Sequence, residues 1–79
     1  MTEFQLGDIL VWIGGCVKYI VTKVKVDCAE YSVPQTSIVL YDTAQMKLTT
    51  EYDSAFLDRY FVKVGRWDFE RNKEVDDEA

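Results

Sequence analysis

The run Val17–Val26 changes face half-way along, and no other feature limits the possible folds as much. Val17, Tyr19 and Val21 share one parity, whereas Val24 and Val26 share the other. A regular strand keeps its apolar side chains on one face, so a slip near Thr22-Lys23 predicts a β-bulge or a sharp bend. The valines of the run, Ile20 and Thr22 are all β-branched, which disfavours a helix there. A long strand bent in its middle serves two parts of one curved sheet.

The other segments are consistent with that reading. Gly7-Asp8 opens the apolar run Ile9-Leu10-Val11-Trp12-Ile13, and Gly14-Gly15 interrupts it. Gly-Gly between two strand-like runs predicts a two-residue hairpin, because primed turns require positive φ. Asp27 to Gln35 lacks periodicity, holds the single proline and reads as a loop. Strand three is expected over Thr36 to Tyr41, with Ile38 and Leu40 on one face and Val39 and Tyr41 on the other. Strand four is expected over Met46 to Thr50, where Met46 and Leu48 alternate with Lys47 and Thr49. Asp53 and Ser54 are good caps for a helical turn through Ala55, Phe56, Leu57 and Asp58. Strand five is expected over Tyr60 to Val64, ended by Gly65.

Five short strands with a helical turn before the last resemble a small SH3-like barrel of the KOW and Tudor type. The resemblance covers roughly residues 5–65. It rests on Leu6-Gly7-Asp8-Ile9-Leu10-Val11, on the spacing of the runs, and on the closing Asp58-Arg59-Tyr60-Phe61-Val62-Lys63-Val64. The expected fold is therefore mostly β, a five-stranded barrel domain over residues 1–67. Residues 68–79 are expected to form an acidic, partly flexible tail, with six acids against Arg71 and Lys73. The chain is 79 residues long, which allows one domain with a modest core. In general style it also resembles small accessory proteins encoded by bacteriophages.

Catalytic signatures are absent from the sequence. There is no His, no phosphate-cradling glycine loop and no nucleophile elbow. The pairs Asp27/Glu30 and Glu51/Asp53 read as solvated carboxylates, because a barrel this small offers no deep cleft to raise a pKa. With two cysteines and no His, one chain cannot assemble a four-ligand zinc site, and no metal or cofactor is expected. Cys16 and Cys28 are expected to be free thiols acting as small apolar filler. Met1 to Asp8 is polar and short, and Ile9 to Ile13 falls far below the ~20 apolar residues of a membrane span, so a cytoplasmic protein is expected.

The net charge of −5 sits mostly at the C-terminal end and argues against a general nucleic-acid footprint. The eleven aromatic residues exceed what so small a core needs. Exposed Tyr and Trp are common interface anchors. The expectation is a non-enzymatic binding module, in phage style an inhibitor or modulator of a host protein from a defence or nucleic-acid-handling complex. Its candidate contacts are Tyr31, Tyr52, Trp67 and Phe69, with Asp76, Asp77 and Glu78 opposing a basic surface on the partner. The first alternative is a single-stranded nucleic-acid binder using Lys18, Tyr19, Lys23 and Lys25, the one basic-aromatic cluster. A second is a structural virion or assembly component.

Overall fold

A computed structural model describes residues 4–27 and 35–75. Its elements are β1 (Asp8–Trp12), β2 (Lys18–Asp27), β3 (Gln35–Asp42), β4 (Lys47–Asp53), α1 (Ser54–Tyr60), β5 (Phe61–Asp68) and β6 (Lys73–Val75). The strands form one antiparallel sheet in the order β4-β3-β2-β1-β5-β6. The chain is thus mostly β, with one short helix before β5. Two expectations are corrected. The sheet has six strands, and β4 and β6 remain its edges, so it is not a closed five-stranded barrel.

Three bulges curve this sheet. In β2 the ladder steps from Val21↔Leu40 to Lys23↔Val39, leaving Thr22 as the extra residue at the place where the sequence changes face. Its Oγ1 donates to the Val39 carbonyl at 3.0 Å, so the displaced residue still bonds to β3. In β4 two residues, Thr49 and Thr50, face Leu40 alone. There Thr49 Oγ1 accepts the Leu40 N–H at 3.1 Å in place of a backbone carbonyl. In β5 the extra residue is Val64, between Lys63↔Leu10 and Gly65↔Ile9. Bulges strengthen the local twist and bend the strand that carries them.

The curved sheet wraps a core of Phe4, Leu10, Val21, Ile38, Leu40 and Leu57, with Tyr19, Val24, Tyr52 and Phe61 packed against it. Ile38 and Leu40 occupy the inner face as their alternation implies. Leu57 is the buried residue of α1. Each such side chain contributes about 1.5–3 kcal/mol by leaving water. Met46 and Leu48 do not enter the core, because Met46 lies in a turn at φ 57 and Leu48 pairs with Tyr41 on the outer face. Beyond the β4 bulge it is Tyr52 that turns inward.

The expected β1–β2 hairpin forms across Gly14-Gly15, but its two-residue primed turn is a further correction. β1 and β2 separate after Val11↔Lys18, and Trp12 pairs instead with Phe61 of β5. Gly7, not Gly14 or Gly15, is the glycine with positive φ. The Trp12 indole lies over the pair, so that a Cβ at Gly14 would sit 3.1 Å from its ring. The glycines make room for an aromatic ring instead of supplying a primed turn. Cys16 lies exposed in this connection, contrary to its expected role as filler. Cys28 is outside the described residues.

Gly7 has a stricter task. It is the third residue of a turn closed by Asp8 N–H on the Gln5 carbonyl at 3.1 Å, and its φ is +90°. Its N–H donates to the Val21 carbonyl at 2.8 Å and its carbonyl accepts Trp67 N–H at 2.6 Å. The buried Asp8 carboxylate braces the turn, with Oδ2 accepting Gln5 N–H at 2.9 Å and Oδ1 lying 3.3 Å from Lys63 Nζ.

The expected tail does not begin at residue 68. Asp68 ends β5, and its Oδ1 accepts the N–H groups of Glu70 (3.0 Å) and Arg71 (3.2 Å), which forms a turn into β6. Gly65 lies inside β5 and does not end it, as suits a bulge.

Candidate functional site

The most distinctive surface is a row of aromatic rings, and the start of α1 sets its geometry. Asp53 caps the helix by accepting Ala55 N–H on Oδ1 at 3.2 Å. Tyr52, the residue before the cap, therefore lies at the foot of the helix. Phe56 and Tyr60 are four apart and share one stripe of it. The Tyr52 and Phe56 rings stack with centroids 5.6 Å apart and planes 9° apart, and the Tyr60 ring follows at 4.8 Å and 46°. Phe56 and Tyr60 are 44% and 38% exposed. Ile13 N–H donates to the Tyr60 carbonyl at 2.9 Å and Trp12 pairs with Phe61, so two further exposed apolar residues flank the row.

Of the partner contacts expected from sequence, Tyr52, Trp67 and Phe69 are among the described residues. Tyr31, Asp76, Asp77 and Glu78 lie outside them. The structure does not bring those three together. Trp67 and Phe69 belong to the β5–β6 hairpin, six and more residues beyond Phe61 along an extended strand, or roughly 20 Å. They line an open depression of about 610 Å³ with Arg66, Asp68, Arg71 and Val75 among its walls. Trp67 is half-buried, and the exposed Phe69 ring lies against Gly7. Phe56, Tyr60 and Trp12 were missing from the expected contacts. The i, i+4 spacing of Phe56 and Tyr60 is the signal that could have supplied two of them.

The basic-aromatic cluster is taken apart by the fold. Tyr19 faces the core, edge-on to Phe61 with centroids 5.6 Å apart. Burial pushes its phenol above the usual value, and the nearby Asp42 and Tyr52 add to the effect. Lys23 and Lys25 stand opposite Val39 and Ser37, on the face turned away from the core. Lys18 Nζ is engaged by Glu74 Oε1 at 2.9 Å. No base could stack on Tyr19 while its phosphates reached these lysines on the other side of the sheet.

Of the carboxylate pairs, Asp53 is used as a helix cap and Glu51 is exposed. Among the described residues, no three His, Cys, Asp or Glu side chains group as metal ligands. Nor, among them, is any helix long and apolar enough to cross a membrane. Comparison of the chain with protein-family models, with curated proteins and with solved structures returns no match.

Proposed function

We propose that this chain is a non-enzymatic module that docks onto a protein partner through the aromatic row Tyr52–Phe56–Tyr60 and its flank, Trp12 and Ile13. The observation that carries the reading is a run of three rings in contact, in which Tyr52 packs against the core and leaves Phe56 and Tyr60 partly in water. Rigid aromatic side chains give large contact area at small entropy cost, which makes them frequent hot spots. The acid-rich end, with Asp76, Asp77 and Glu78, suits a partner with a basic surface. Such complementarity acts mainly on the association rate. In this reading the partner is a host protein in the cytoplasm, as the resemblance in general style to small phage accessory proteins implies.

The scaffold in this reading is an opened variant of the SH3-like barrel. Support comes from the order β4-β3-β2-β1-β5, the bend at Thr22, and the helix between β4 and β5.

The test is affinity capture from lysate of the organism in which the chain acts, with nuclease treatment. One protein is expected to remain bound after nuclease, to bind more weakly as salt rises, and to be lost with Phe56→Ala/Tyr60→Ala. Charge reversal at Lys23 and Lys25 should leave capture unchanged. Micromolar binding of a single-stranded oligonucleotide, abolished by those reversals, would overturn the proposal in favour of a nucleic-acid binder.

A further inference from the structure

We propose that the edge strand β6 is a hinged flap, closed by the ion pair that its Glu74 side chain makes with Lys18 across the outer face of the sheet. Ile9 and Ile20 lie on that outer face and pair with each other across β1 and β2. Neither belongs to the main core, yet they are only 1% and 7% exposed. Something on the outer side covers them. Gly65, opposite Ile9, locates one such cover: a Cβ there would sit 3.4 Å from Glu74 Oε2 and 3.9 Å from Ile9 Cδ1. The Glu74 carboxylate therefore lies over β5 beside Ile9. From there it reaches Lys18 on β2, with both β1 and β5 between the two strands.

The strand β6 itself is weakly attached. Its ladder has three pairs, Arg66↔Val75, Trp67↔Glu74 and Asp68↔Lys73. From Phe69 to Val75 every residue is exposed except the half-buried Val75. Asn72 turns the chain at φ 55, and an open depression is lined by residues of both β5 and β6. Segments with few buried apolar contacts open at low free-energy cost, well below global unfolding. The ion pair is half exposed and adds only a small closing bias. When the flap opens, Glu74 withdraws from beside Ile9 and bares part of the outer apolar face of β1.

Amide hydrogen exchange on the full chain tests this. The amides of residues 73–75 should exchange faster than those of β1–β3. Glu74→Gln should raise their rate about 1.5- to fivefold, the range set by a surface ion pair. One molar salt should do the same to the unsubstituted chain and add little to Glu74→Gln. The exchange Lys18→Glu/Glu74→Lys should restore the slower rate, which loss of packing alone would not do. Equal exchange of β6 and the central strands would overturn the proposal. So would a salt response that Glu74→Gln leaves intact.

Discussion

Thr22 Oγ1 donates to the Val39 carbonyl at 3.0 Å, from the residue of β2 that the β3 ladder skips between Val21 and Lys23. The bend of the longest strand is thus secured by a side-chain hydroxyl. Thr22→Val keeps the shape and β propensity but removes the donor. A net hydrogen bond contributes about 0.5–1.5 kcal/mol, and each kcal/mol corresponds to about 4–8 °C in a domain of this size. Thermal unfolding of Thr22→Val should show a loss of that order. An unchanged Tm would show that the bend is set by packing alone.

Gly7 and Gly65 make a contrasting pair. A Cβ at Gly7 would meet the Trp67 carbonyl at 2.7 Å while the residue holds φ +90°. Positive φ alone costs a non-glycine residue of order 1–3 kcal/mol, and a rigid backbone atom cannot yield to the methyl group. Gly7→Ala should therefore unfold much of the protein at 37 °C. Gly65→Ala meets the end of a flexible glutamate at 3.4 Å and should be tolerated. Circular dichroism melts of the two variants give the comparison.

Leu57 and its neighbours on α1 separate stability from docking. Leu57 is fully buried, and Leu57→Ala should cost about 2–5 kcal/mol. Phe56→Ala/Tyr60→Ala removes partly exposed rings and should cost less in urea denaturation. In the capture assay the order should reverse, with the double variant losing the partner and any folded Leu57→Ala retaining it.

Tyr19 predicts an alkaline limit. Its phenol is held above the usual value first by burial and then by Asp42 and Tyr52. The unfolded chain therefore loses that proton first. Stability is unaffected by Tyr19 below about pH 10, and falls as pH rises from there toward the raised native value. Tyr19→Phe should flatten this part of a stability–pH curve, measured by denaturant melts between pH 9 and 11.

Local signals were legible wherever a few neighbouring residues settle the matter. The parity slip marks the bulge at Thr22, the alternation of Ile38 and Leu40 marks the inner face of β3, and Asp53 marks the start of α1. Each rests on backbone periodicity or on a cap three residues long. Of the aromatic row only Tyr52 was legible, because Trp67 and Phe69 lie on the β5–β6 hairpin away from it. The tail was misread because a three-residue strand such as β6 has no period, and its partner Arg66-Trp67-Asp68 exerts its pull through the ladder.

The sequence by itself determined that the chain is β-rich, that its first five strands exist, where the long one bends and where the helix starts. All of these follow from side-chain shape acting on the adjacent backbone. Only the tertiary structure decided which distant surfaces meet. It put Trp12 over Gly14-Gly15, turned Tyr19 away from the lysines, and aligned Tyr52 with Phe56 and Tyr60. It also joined Lys18 to Glu74, a pair 56 residues apart. Such contacts depend on register and sheet curvature summed over several strands, and no single segment encodes that sum.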